Sequence, residues 1–154
     1  MEPRTSQPHR RLDAIRAFSD AGVPVGALVA PIIPGLNDHG IPSIISAVAD
    51  AGANFTSYTI LRLPYANKTF FDDWLTQHFP ERKEKVLNRI RAIRGGQLNE
   101  TSFGSRMSGQ GIFADQISDM FSAACKKASF TCDRPHLSTS AFKRPTGLQL
   151  CIFE

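Results

Sequence analysis

The chain has 154 residues, 42% of them hydrophobic and 21% charged, which excludes a disordered or collagen-like polypeptide and leaves room for one domain or a part of a larger one. No apolar run approaches the roughly 18 residues of a membrane-spanning helix, and the polar opening Met1–Ser6 lacks the apolar core of a signal peptide. A soluble, cytoplasmic protein with no membrane partner is expected. Cys125, Cys132 and Cys151 are too few for a disulfide framework, and they match no zinc pattern, since no Cys-x2-Cys pair exists. The net charge of +4 is concentrated: between Glu81 and Arg94 six basic residues face two glutamates. A local basic stripe points to an anionic partner more than an even spread would.

In chain order, the first predicted element is a helix from about Pro8 to Ala21, with Pro8 in the first turn and Gly22 as the stop. Leu12, Ile15 and Phe18 share one of its faces. The apolar run Val23–Pro31 does not alternate, which fits a strand covered on both faces as in parallel sheets. After a Pro-Gly loop, Asn37 or Asp38 can cap a helix over about 40–51, whose apolar face is Ile41, Ile44, Ile45 and Val48. A second strand is expected over Phe55–Leu63, stopping at Pro64.

Helix, strand, helix, strand is the rhythm of a parallel α/β sheet or barrel. Two strands alone leave two unpaired edges, so this part of the chain is expected to need more polypeptide or a partner. The pattern then becomes helical, over about 69–77, 81–94 and 113–128. A glycine-rich loop fills 97–111, and the last 26 residues read as an extended, mobile tail.

Ligands in α/β folds bind at the carboxyl ends of parallel strands. The turn Ala30-Pro31-Ile32-Ile33-Pro34-Gly35 and the strand end Leu61-Arg62-Leu63-Pro64-Tyr65 both fall there. Arg62 could pair with a carboxylate or phosphate, or could simply be solvated. Arg82, Lys83, Lys85 and Arg89 can line one side of the basic helix, with Arg106 nearby. Such a stripe can neutralise phosphates with steep salt dependence, although solvated helix faces of this composition are common.

Several tracts carry a resemblance to a known family. In order they are Met1-Glu2-Pro3-Arg4-Thr5, Arg11–Ile15, Ala21–Gly26, Ala30–Asp38, Leu61–Tyr65, Arg82–Leu87 and Phe103–Met107. Together the chain resembles the C-terminal half of the radical S-adenosylmethionine (AdoMet) superfamily, in the branch similar to spore photoproduct lyase. The resemblance implies an α/β fold: the C-terminal half of a partial (β/α)6 radical AdoMet barrel over 1–66, a helical extension over 67–128 and a flexible tail over 129–154. It also implies AdoMet at Ala30, Pro31, Leu61, Arg62 and Leu63, with Glu2 and Arg4 as further polar contacts. A [4Fe-4S] cluster would be held by a Cys-x3-Cys-x2-Cys loop upstream, since no metal ligand of that kind stands in this chain. The N-terminal half of the barrel would then be its partner, and no residue here would be catalytic alone.

The implied enzyme is an iron-sulfur lyase of DNA repair, with DNA contacts at Arg82, Lys83, Lys85, Arg89 and Arg106. The end of the chain, Gln149-Leu150-Cys151-Ile152-Phe153, resembles the peptide by which bacterial repair proteins dock on the sliding clamp. Gln149 would supply an oriented amide, and Leu150, Ile152 and Phe153 the apolar anchors. The alternative is a non-catalytic basic module that docks on the clamp and DNA.

Overall fold

The computed structural model describes residues 5–130, 138–140 and 142. Helix α1 spans Pro8–Asp20 and strand β1 Gly26–Ile32; a single 3-10 turn, Asp38–Gly40, leads into α2, Ile41–Asp50. Strand β2 is Phe55–Ile60, followed by α3, Asn67–His78, α4, Lys83–Ile93, and α5, Ile112–Lys127. The expected ends of the elements shift by a few residues. Most notably, β2 gives way to irregular extended chain after Ile60.

The local chemistry explains the punctuation. Pro8 sits in the first turn of α1, where a missing N–H costs no helix bond. At the other end Val23 N–H donates to the Phe18 carbonyl at 2.9 Å around Gly22, whose φ is +72°. This is the glycine closure that turns a helix C-terminus back on itself. No side-chain cap forms at α2. Asp38 instead accepts hydrogen bonds from the Gly35 N–H (2.8 Å) and the His39 N–H (3.1 Å), and Asn37 holds the loop before it.

The strands are parallel, with α2 as the crossover, and pair from Gly26↔Phe55 to Ile32↔Ile60. Asn54 opens the pairing by exchanging bonds with the Val25 backbone, and the Leu61 N–H closes it on the Ile32 carbonyl at 2.9 Å. A register shift lies between Val29 and Ile32, at the cis Ala30–Pro31 bond. Gly26 must be glycine because the Phe55 ring lies where a Cβ would stand.

Two apolar cores form. The first packs Val29, Ile32 and Ile60 of the sheet against Ile41 and Ile45 of α2 and Ile117, Phe121 and Ala124 of α5. The second joins Ile33, Leu36, Leu61 and Leu63 to Phe71 and Leu75 of α3 and Val86, Leu87 and Ile90 of α4. Burial of this kind, at roughly 25 cal/mol per Å² of apolar surface, is the main stabilising term.

Two expectations are corrected. The chain is mostly helical with a two-stranded parallel sheet, not the C-terminal half of a (β/α)6 barrel. The helix–strand alternation that suggested a barrel stops after β2, where residues 64–66 feed directly into α3. Among the described residues, the Met107 carbonyl meets the far edge of β2, accepting from the Ile60 N–H at 2.9 Å. Nor is β1 covered on both faces. Val29 and Ile32 point into the core, whereas Leu28 is 64% exposed and Ala30 and Pro31 lie at the surface. Helix α1, whose apolar residues are Leu12, Ile15 and Phe18, buries none of its residues.

Candidate functional site

The carboxyl ends of the strands place two distant tracts side by side. The Leu61–Ile32 hydrogen bond continues the strand pairing, so Leu61, Arg62 and Leu63 run on beside Ile32 and Ile33, just past Ala30 and Pro31. The loop beyond β1 is held rigidly by polar side chains: Asn37 Nδ2 donates to the Pro31 carbonyl at 3.1 Å, and its Oδ1 accepts from the Ile33 N–H at 2.7 Å. Asp38 Oδ2 takes the Gly35 N–H and also lies 3.4 Å from Arg89 Nη1. Leu61 and Leu63 are buried in the second core, so their side chains serve packing and their backbone remains for contact.

Arg62 is half-buried. Its Nε is buried with no hydrogen-bond partner among the described residues, and its Nη1 is 4.0 Å from the Met107 sulfur. No carboxylate among the described residues pairs with it. Behind it stands Arg94, only 3% exposed, whose Nη2 donates to the Leu61 carbonyl at 3.0 Å. Its Nη1 donates to the carbonyls of Ser105 (3.2 Å) and Arg106 (2.8 Å). Burial pulls the basicity of Arg94 below the ordinary guanidinium value; Glu100 counters this and Arg62 adds to it.

The basic residues of α4 divide by role. The Lys83 ammonium is 2.7 Å from Asp72 Oδ2 and 2.8 Å from Thr76 Oγ1, tying α4 to α3. Arg89 bridges to Asp38 and lies 4.9 Å over the Phe113 ring. Arg82 has Glu81 at 3.8 Å, both exposed, and Lys85 projects into solvent. Arg106 lies 5.1 Å over the exposed Phe103 ring. The four residues expected along one side of the helix therefore split, Lys83 and Arg89 bracing it and Arg82 and Lys85 facing solvent, with Arg106 on the neighbouring loop. Glu2 and Arg4, and the terminal Gln149, Leu150, Ile152 and Phe153, lie outside the described residues.

Beside the free edge of β1 runs a cleft of about 560 Å³ between α1, β1 and α2, with Leu12, Ile15, Leu28, Ala30 and Ile44 among its lining residues. Its walls are mainly apolar, and no strand among the described residues pairs with this edge of β1.

The fit to the two expected cofactors differs. A [4Fe-4S] cluster finds no ligand set among the described residues: no three His, Cys, Asp or Glu side chains converge, and Cys125 is buried in the first core. For AdoMet, the exposed Ala30–Pro31 surface offers an apolar contact, whereas Arg62 Nε is buried from solvent and offers it no donor.

Sequence reasoning missed Arg94 as a structural centre, because it reads as one more charge at the end of a basic helix. It also missed Asn99, whose Oδ1 is buried without a partner among the described residues. The one available signal was the Gly95-Gly96 pair, which forces the chain to turn back over the helix end.

Uncharacterized proteins of Mycobacterium tuberculosis and Mycobacterium bovis are 32% identical to this chain over 95 residues. The match covers 60% of this chain and 27% of each relative, so the chain spans about a quarter of the length of the curated relatives it matches. No family model and no solved structure matches the chain. No helix among the described residues is long and apolar enough to cross a membrane.

Proposed function

We propose that this chain is one segment of a longer radical AdoMet enzyme resembling spore photoproduct lyase and acting on DNA, and that it supplies one wall of the AdoMet site. The observation that carries this reading is the Leu61–Ile32 pairing, which brings the two tracts bearing the resemblance, Ala30–Asp38 and Leu61–Tyr65, to one strand end. The free β1 edge beside an apolar cleft, together with relatives much longer than their match, supports a preceding part of the polypeptide that packs there.

When bound, AdoMet supplies the 5′-deoxyadenosyl group with which such enzymes take hydrogen from a substrate. The contribution of this chain is to bind and orient. Ala30 and Pro31 offer a flat apolar surface, and the Asn37 brace keeps it fixed. Arg62, half-buried at the strand end, would turn a terminal guanidinium N–H towards an acceptor on the ligand. By the resemblance, the iron-sulfur ligands would be a Cys-x3-Cys-x2-Cys loop upstream of this chain. Arg82 and Lys85 are left to meet phosphates on the outer side of α4.

The test is to express this chain joined to its upstream coding sequence, load iron and sulfide, and measure 5′-deoxyadenosine release from AdoMet under reduction. Release that drops at least tenfold in Pro31→Asp supports the reading. A longer protein that holds no cluster and releases no 5′-deoxyadenosine overturns it.

A further inference from the structure

The end of β2 and the glycine-rich loop meet at the surface. The Met107 carbonyl accepts from the Ile60 N–H, and the Met107 sulfur lies 4.0 Å from Arg62 Nη1. One residue back along the loop, the Arg106 guanidinium lies 5.1 Å over the Phe103 ring. Phe103 is 91% exposed and Met107 46%. Exposed apolar surface set among charges marks an interaction site.

The loop that carries these side chains is held in place. Arg94 Nη1 donates to the Ser105 and Arg106 carbonyls. The Arg106 N–H donates to the Ser102 carbonyl at 3.2 Å, and the Gly109 N–H to the Ser105 carbonyl at 2.7 Å. Phe103 is therefore displayed on a fixed turn, and a partner that docks against it has little ordering to impose.

Charge decides what kind of partner that is. Residues 61–66 and 97–111 contain two arginines, Arg62 and Arg106, and one acid, Glu100. The Glu100 carboxylate accepts from Ser105 Oγ at 2.7 Å. With the buried Arg94 behind them, the guanidiniums outnumber the carboxylate, and the surface suits an anion. Arg106 covers one face of the Phe103 ring, and the exposure of that ring leaves its other face open. A nucleic-acid strand with unpaired bases is an anion that also brings flat rings. In a duplex the base faces are stacked on one another and cannot reach an aromatic side chain. An acidic peptide matches the charge but not the open ring face.

We infer that Phe103 and Arg106 form a binding surface for single-stranded nucleic acid, with an unpaired base stacked on the open face of Phe103 and the adjacent phosphate held by Arg106. Arg62 adds positive charge on the side that borders Ala30 and Pro31. The inference deepens the proposed action on DNA and rests on that reading for the choice of polymer.

The experiment is a fluorescence-anisotropy titration of a short labelled oligothymidine with the full 154-residue chain. Saturable binding is expected. Phe103→Ala should weaken it about tenfold, the scale of one lost base–aromatic stack, and Phe103→Tyr should restore it. An abasic strand of equal length should also bind about tenfold more weakly. Arg106→Gln should lower the slope of affinity against salt by about 0.7, the value for one phosphate of a single strand. Circular dichroism of the variants should match that of the unaltered chain, since the Phe103 side chain stands in solvent. No saturable binding, equal binding of the abasic strand, unchanged affinity in Phe103→Ala, or tighter binding of polyglutamate than of oligothymidine overturns the inference. The titration needs no iron-sulfur cluster, so a longer protein that releases no 5′-deoxyadenosine leaves a positive result standing. A longer protein that releases it, while Phe103→Ala binds the strand unchanged, overturns this surface alone.

Discussion

Arg94 Nη2 donates to the Leu61 carbonyl at 3.0 Å, so a cation at the end of α4 fixes the strand end where Arg62 projects. The same guanidinium holds the Ser105 and Arg106 carbonyls, so one side chain joins β2, α4 and the glycine-rich loop. Replacing it with methionine strands three carbonyls in a buried place. Arg94→Met is expected to lose about 3 kcal/mol in urea denaturation, with Arg94→Lys between the two because a lysine lacks the planar fork. A loss under about 1 kcal/mol would show that the loop is held by other contacts.

The loop after β1 depends on Asp38. Asp38→Ala removes the acceptor of the Gly35 N–H and the partner of Arg89 together. An expected loss of about 1–2 kcal/mol, read by thermal unfolding, should change little with added salt, since both charged groups are largely buried.

At the start of the sheet, Gly26→Val would drive a side chain into the Phe55 ring. About 2 kcal/mol of destabilisation is expected, the usual scale for overpacking a site that cannot expand freely. Wild-type stability would mean that Phe55 leaves its place at little cost.

The division of the basic helix predicts a division of effects. Under the proposed DNA contact, Arg82→Gln and Lys85→Gln should each reduce the salt dependence of binding by about one unit of slope while leaving folding unchanged. Lys83→Gln breaks the contact with Asp72 and should lower the unfolding midpoint with the DNA slope intact. Equal effects of all three on binding would contradict the division.

Exposed Leu28 predicts association. Leu28 is 64% exposed, and no strand among the described residues pairs with this edge of β1. Leu28→Lys should shift stability by no more than about 0.5 kcal/mol and reduce self-association in sedimentation velocity. An unchanged sedimentation profile would show that this face does not associate.

Much of the fold was legible because its periodicities are local. Val86, Leu87, Ile90 and Ile93 mark the buried side of α4, and Ile117, Phe121 and Ala124 that of α5. The parallel strand pair was legible from its valine-rich and aromatic runs around a crossover helix. The open side of the sheet was not, because Leu28 and Val29 are equally apolar in sequence and differ only in what lies opposite them. Continuation as a barrel half failed for the same reason: nothing local in Leu61–Tyr65 tells whether the next strand returns to the sheet. The roles of Lys83 and Arg89 were hidden because Asp72 and Asp38 approach them only through tertiary packing.

The account rests most directly on what precedes Met1 in the coding DNA, and sequencing it is the decisive measurement. An uninterrupted reading frame that carries Cys-x3-Cys-x2-Cys upstream is the expected result, and it would join this segment to its iron-sulfur ligands. A stop codon and a ribosome-binding site directly before Met1 would contradict the radical AdoMet account for this polypeptide.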